Sequence, residues 1–484
     1  MRKVILIVII IVFNLLFQQS IKAEVKLPAI VSSNMVLQRN TTVVLWGWAD
    51  ANEKITIKTS WLKKKISFKA NDKGKWRIEV KTTNSKEPQF ININSKESDI
   101  LLENILFGEV WLCSGQSNMF QSFKGYDGQP TYGGGLTIAK SNNKNLRFFS
   151  VGTVASKTPL EKLKKSSGWQ DSSPESVLNF SAIAYFFGKQ LQEVLDCPVG
   201  MIHTSWGGSK IESWMSKEAI SLFKTINLEN VNIKKKPHQV STLLYNSMIN
   251  PLTSYTIKGA LWYQGESNRM EPNNYKKYLP AMVKDWRTRW GIGDFPFYYV
   301  QIAPYLYNNN DVFQTNDNTA FIREAQLQCL DLIPNSGIAI TMDIGDEKSI
   351  HPPKKREVAD RLLFNALNQT YGYKTVDYGG PIYKSLEKKD EGILLSFKNA
   401  EKGLYAYDAL TGFEIAGADK VFYPATSKIV NRRKVLVKSD KVTNPVAVRY
   451  AWRNWINGTL YDTNLLPASS FRTDNWTEAT QAKK

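Results

Sequence analysis

The sequence predicts an α/β protein whose central domain holds a parallel sheet covered by helices on both faces, set between two β-rich regions. Three observations point to it. Between about residues 105 and 374, apolar strand-length segments alternate with helical patterns, as they do where strands and covering helices follow one another. On either side of that stretch the pattern shortens to alternating segments broken by turn residues. The chain has 484 residues, enough for two to four domains at about 100–200 residues each.

At the N-terminus, Arg2 and Lys3 precede an unbroken apolar run from Val4 to Phe13, and Ile21-Lys22-Ala23 offers a small-residue cleavage pattern. Residues 1–23 therefore read as a signal peptide, with an uncleaved anchor as the alternative, since the run falls short of the roughly 20 apolar residues of a membrane span. The mature chain is expected to be secreted or periplasmic, with no stable membrane insertion after cleavage. Within 24–104, the segments Thr42–Trp46, Lys54–Lys58 and Lys75–Val80 are separated by Asp50-Ala51-Asn52-Glu53 and Asn71-Asp72-Lys73-Gly74. This spacing predicts a small β-sandwich.

Within 105–374, Glu109–Leu112 opens a series of strand candidates. A helix over Ser181–Leu195 carries Ile183, Ala184, Phe187, Leu191, Val194 and Leu195 on one stripe. Val199–Ile202, Gly259–Trp262, Phe297–Val300 and Gly337–Ile340 are the further strands. Near-continuous apolar strands imply a sheet buried on both faces, and sites in such sheets form at the carboxyl ends of the strands. In 375–484, Ile393–Phe397, Lys434–Val437 and Val446–Tyr450 return to the short alternating pattern, which predicts a second β-sandwich-like region.

The formal charge is +19, and Arg2, Lys3 and Lys22 leave with the leader. The remaining surplus suits an acidic glycan, but the lysines are scattered and no nucleic-acid-binding motif accompanies them. Cys113, Cys197 and Cys329 are odd in number and widely spaced, so free buried cysteines are expected and no metal-ligand spacing is present.

The chemistry-bearing residues fall just after predicted strands. Ser114-Gly115-Gln116-Ser117-Asn118-Met119 follows the first, and Gly115 permits a tight turn that would lift Ser117 above the sheet edge. Ser205-Trp206-Gly207-Gly208 and Gln264-Gly265-Glu266-Ser267-Asn268 occupy equivalent places. Glycines there let a backbone N–H approach a carbonyl oxygen, and an amide side chain could donate a second bond to a developing oxyanion. A serine nucleophile needs a base. Of three histidines, His351 lies in the loop Asp346–Pro352 after the fifth strand, His203 reads as a packed strand-end residue, and His238 as exposed.

These motifs and Ile350-His351-Pro352, together with Asn34–Gln38, Leu244–Ile249, Arg323-Glu324-Ala325-Gln326, Gly380–Tyr383 and Leu466–Ser469, resemble the sialate O-acetylesterase family of SGNH hydrolases over nearly the whole mature chain. The resemblance implies a flavodoxin-like three-layer α/β/α catalytic domain and hydrolysis of carboxylic esters. Ser117 would attack an acetyl carbonyl, and His351 would take its proton and deliver it to the sugar alkoxide. The backbone N–H of Ser117, a glycine N–H of Gly207 or Gly208 and the Gln264 side chain would hold the oxyanion. Gln116, Asn118, Trp206, Asn268 and Arg323 would bind substrate. Water would then release acetate, so neither metal nor organic cofactor is implied.

One position departs from the family pattern. Three residues before the histidine, where an aspartate is usual, stands Lys348. Asp346, Glu266 or the two together are then expected to orient His351, with Asp343 structural. The implied partner is an O-acetylated carbohydrate: sialic acid esters first, acetylxylan or another acetylated polysaccharide second. The contrasting reading is a noncatalytic glycan-binding protein, suggested by the β-rich flanks and 14 tryptophans.

Overall fold

The computed structural model describes residues 24–224, 226, 233, 235–307, 318–476 and 480–481. The expected signal peptide, 1–23, lies outside the described residues. Seven strands form the central sheet: β1 (Asp99–Gly115), β2 (Asn143–Val151), β3 (Ser166–Ser172), β4 (Val199–Ser205), β5 (Gly259–Tyr263), β6 (Phe297–Val300) and β7 (Ser336–Ala339). Their order is β7-β6-β5-β1-β4-β2-β3. All neighbours are parallel except β2 and β3. Later strands are thus added on both sides of β1, and the loops leaving β1, β4 and β5 border one crevice.

The helices that bear on the site are α1 (Ser117–Phe120), α2 (Ala182–Leu195), α3 (Pro272–Trp290), α4 (Ala320–Gln328) and α5 (Lys355–Asn365). Side chains of a strand point alternately to its two faces, and here both faces are covered. Trp111, Cys113, Leu261 and Tyr298 pack with Ile183 and Phe187 of α2 and Leu362 of α5. Leu112, Ala260, Trp262 and Phe297 pack with Met282 and Trp286 of α3 and Ile322 of α4. Ser181, expected inside α2, is instead its cap, its Oγ accepting the Ala184 N–H at 3.2 Å.

The change of texture expected between residues 104 and 105 falls inside a continuous strand. Residues 99–105 of β1 pair antiparallel with Gln89–Asn94, residues 106–108 pair parallel with Val36–Gln38, and residues 109–115 pair parallel with β4. Asn104 takes φ +54° at the join, a left-handed conformation that asparagine tolerates better than most residues. Before β1, Thr42–Trp48 pairs with Lys75–Lys81, and beyond residue 381 lie a four-stranded antiparallel sheet and a five-stranded sheet. All three cysteines are free and buried. Among the described residues no helix is long and apolar enough to cross a membrane, and no group of three or more histidine, cysteine or acidic residues is placed to hold a metal.

Candidate active site

The sheet places Ser117 by way of a glycine. Gly115 ends β1 at φ +140°, and a Cβ there would meet the Tyr263 carbonyl oxygen of β5 at 2.1 Å, so no other residue fits. The Gln116 N–H then donates to that same oxygen at 2.9 Å, and Ser117 starts α1. His351 arrives from the loop between β7 and α5 with Nε2 2.7 Å from Ser117 Oγ. Its Nδ1 lies 2.5 Å from Gln129 Oε1. An amide oxygen only accepts, so Nδ1 carries the proton and Nε2 is the acceptor for the serine hydroxyl. Tyr126 supports both partners, its hydroxyl donating to the Ser117 carbonyl at 2.9 Å and its ring centred 4.7 Å from the imidazole. Burial, and then the nearby Lys355 cation, pull the His351 pKa down to about 4.

Neither carboxylate expected beside His351 meets its ring. Asp346 Oδ1 is taken by the backbone N–H groups of Lys348 at 2.8 Å and Ser349 at 3.0 Å, so it shapes the loop. Glu266 is buried under the site, where its Oε1 accepts from Asn118 Nδ2 at 2.6 Å. Asn118 also donates to the Ile350 carbonyl at 3.0 Å and accepts from Lys355 Nζ at 2.6 Å. Glu266 therefore reaches the histidine loop only through Asn118. Burial pushes the Glu266 carboxyl up and pulls Lys355 down to about 7. Asp343 is structural as expected, clasping Arg361 through two bonds of 2.7 Å.

The backbone N–H groups of Ser117, Gly207 and Gly208 donate to no acceptor among the described residues. Gly207 lies against Ser117: a Cβ on it would sit 3.5 Å from Ser117 Cβ. Gln264, expected to donate alongside them, is fully buried, and its Nε2 is spent on the Ser209 carbonyl at 3.0 Å and Asn268 Oδ1 at 2.8 Å. Asn268, expected to bind substrate, is likewise buried and does not line the cleft. It accepts the Ile211 N–H at 3.0 Å and donates to Glu212 at 2.9 Å, knitting the loops beneath the cleft. Arg323 lies outside the cleft, where it donates to Ser470 at 3.0 Å and Thr319 at 2.9 Å and ties the C-terminal region to α4. These three polar groups serve buried loops, whose backbone needs partners.

Gln116, rather than Gln264, brings an amide side chain to the cleft. Its Oε1 accepts from the Gly265 and Ser267 N–H groups at 3.4 and 3.3 Å, and its Nε2 meets no acceptor among the described residues. Gln116, Ser117, Trp206, Gly207, Gly208 and His351 line one open cleft of about 740 Å³, together with Phe120, Tyr126, Thr153, Gln239, Glu266, Ser267, Arg269 and Ile350. Trp206 stacks on His238 with ring centroids 5.7 Å apart, so His238 is half-buried rather than exposed. His203 is packed as expected, its Nε2 2.6 Å from Ser205 Oγ. Sequence reasoning missed Gln129, Tyr126, Lys355 and Arg269. Arg269 alone had a cue, one residue past a strand-end motif already singled out.

The family model described as a carbohydrate esterase, sialic acid-specific acetylesterase, matches residues 108–360. The sialate O-acetylesterase of Homo sapiens is 28% identical over 476 residues, covering 88% of this chain and 87% of that protein. The sialate O-acetylesterase of Mus musculus is 26% identical over 498 residues, covering 88% and 89%. A carbohydrate acetylesterase from Xanthomonas citri has a crystal structure that matches with a TM-score of 0.85 at 32% identity, covering 94% of this chain and 100% of that one. Fold and relatives together define a carboxylic ester hydrolase, which rules out the noncatalytic glycan-binding reading. Within that class, the chain belongs to the carbohydrate esterase family of sialic acid-specific acetylesterases.

Proposed function

We propose that the protein is an exported serine esterase that removes O-acetyl groups from carbohydrates, O-acetylated sialic acids first, through an acetyl-enzyme on Ser117. The observation that carries this reading is the 2.7 Å approach of Ser117 Oγ to His351 Nε2, with Nδ1 held by Gln129. As Ser117 Oγ attacks the acetyl carbon, its proton passes to Nε2. The negative charge on the carbonyl oxygen is met by the unpartnered N–H groups of Ser117 and Gly207 or Gly208, with the Gln116 amide as a further donor. The imidazolium then protonates the sugar alkoxide as the ester bond breaks. Water, deprotonated by the same nitrogen, attacks the acetyl-enzyme and releases acetate.

Gln129 stands where a carboxylate is expected. A neutral amide holds the tautomer but adds no charge to stabilise the imidazolium, in keeping with the low pKa of His351. Acetylated polysaccharides are the second reading, favoured by the open cleft. The basic start and apolar run of residues 1–13 support export, and intact mass of the protein made in its own host should show a mature chain starting near Glu24. The decisive experiment is a deacetylation screen over 9-O- and 4-O-acetyl sialic acids and acetylated xylan, with Ser117→Ala as the blank. A loss of several orders of magnitude with unchanged thermal stability is expected. Activity of Ser117→Ala within about tenfold of wild type refutes the covalent route.

A further inference from the structure

Among the described residues, Arg269 is a cation without an anion. It follows the turn Glu266–Asn268 at the carboxyl end of β5 and, among the described residues, is the only arginine or lysine lining the cleft that holds Ser117 and His351. Its guanidinium makes no ion pair and no hydrogen bond with any described residue, and its Nε is shut off from solvent with no acceptor. The buried arginines are treated differently from this half-buried one: Arg287 donates to the carbonyls of Phe295 and Pro334, and Arg361 to Asp343 and the Ile340 carbonyl. The Arg269 side chain is nevertheless held in place, with its guanidinium carbon 4.6 Å from the centre of the buried Tyr307 ring. The two carboxylates nearby in sequence are engaged elsewhere, Glu271 with Lys210 at 2.8 Å and Glu266 with Asn118 through Oε1.

A planar guanidinium fixed on an aromatic face, with its donors unused, matches the geometry of a carboxylate. We propose that Arg269 binds the carboxylate of an acidic sugar while the acetyl ester reaches Ser117, so that the enzyme favours acetyl esters of acidic sugars over those of neutral ones. This rests on the carbohydrate acetylesterase reading above and chooses between its two substrate classes. A neutral acetylated polysaccharide would leave the Arg269 donors unpaired in the complex, which a polar site discriminates against. The positive surplus of the chain works in the same direction by attracting an anionic substrate.

The test compares 9-O-acetyl-N-acetylneuraminic acid with its carboxylate methyl ester, which keeps the sugar and the acetyl group but removes the charge. Wild type should show kcat/KM roughly 10- to 100-fold higher for the acid, mainly through KM. Arg269→Gln should bring the ratio close to one. Arg269→Lys, which keeps charge but not the fork, should retain a fraction of the preference. Melting temperatures of the variants report on folding, and Ser117→Ala supplies the blank. A wild-type enzyme that cleaves both compounds equally, or an Arg269→Gln variant that keeps the preference at an unchanged melting temperature, overturns the inference while the esterase reading stands. If wild type cleaves acetylated xylan but neither sialic acid compound, the inference also falls. If Ser117→Ala remains active, it is the esterase mechanism that fails.

Discussion

Gln129 is the residue on which the catalytic geometry turns, and two substitutions probe it in opposite directions. His351 Nδ1 lies 2.5 Å from Gln129 Oε1. Gln129→Leu leaves that N–H without its acceptor in a partly buried site, a loss of about 1–3 kcal/mol. If the whole loss falls on the transition state, kcat drops roughly 5- to 150-fold. Gln129→Glu keeps the reach and adds a charge. A charge-assisted bond exceeds a neutral one by about 1 kcal/mol, so the His351 pKa should rise by roughly one pH unit from its present value of about 4. The base acts only when neutral, so a raised pKa moves the acid limb of kcat/KM upward and costs activity near pH 4.5. Above pH 7, where the base is neutral in both proteins, better stabilisation of the imidazolium should raise kcat by up to about tenfold. Rate profiles from pH 4 to 9 on 4-nitrophenyl acetate measure both effects. A Gln129→Leu enzyme within about twofold of wild type, with an unmoved acid limb, would show that Gln129 does not hold the ring.

Three further outcomes are expected. Glu266→Gln should lower kcat by about 10- to 100-fold, because Glu266 acts on the histidine loop only through Asn118, whereas Asp346→Asn, which keeps the accepting oxygen, should stay within about tenfold of wild type; a collapse of about 10⁴-fold in either variant would restore that carboxylate as the orienting partner. His203, 6% exposed and held neutral by burial down to about pH 4, binds a proton more readily in the unfolded chain, so its contribution is complete above pH 6.5 and is lost as pH falls towards 4, by up to about 3 kcal/mol. Urea midpoints at pH 7.5 and 4.5 should therefore differ less in His203→Gln than in wild type, and an equal difference refutes the assignment. Arg323→Met should destabilise the fold by about 2–5 kcal/mol by stranding the acceptors that join the C-terminal region to α4; a raised KM at an unchanged melting temperature would return Arg323 to the substrate.

The strands β1, β4, β5, β6 and β7 were legible because burial on both faces writes them as apolar runs, whereas β3 is an antiparallel edge strand with only Trp169 and Ser172 buried, and its sequence carries little pattern. Ser117, Gly207 and His351 were legible for a related reason: they sit where the chain leaves a strand. What sequence could not give was side-chain direction. Gln264, Asn268 and Arg323 look like chemistry in one dimension, and each is spent on buried backbone or side-chain partners. The partner of His351 was beyond reach for the opposite reason. Gln129 lies 222 residues away in sequence, and no local pattern couples the two.

The strand that ends at the Ser117 turn begins in the N-terminal sheet, pairing with Gln89–Asn94 before it enters the central one. The N-terminal region is therefore not an appendage that could be grafted from one relative to another at residue 104. A crossover or a protease nick there divides a single β-strand, and the freed end is the one that aims Ser117. Chimaeras of this family should be joined in loops outside Asp99–Gly115, so that both halves of the strand come from the same parent.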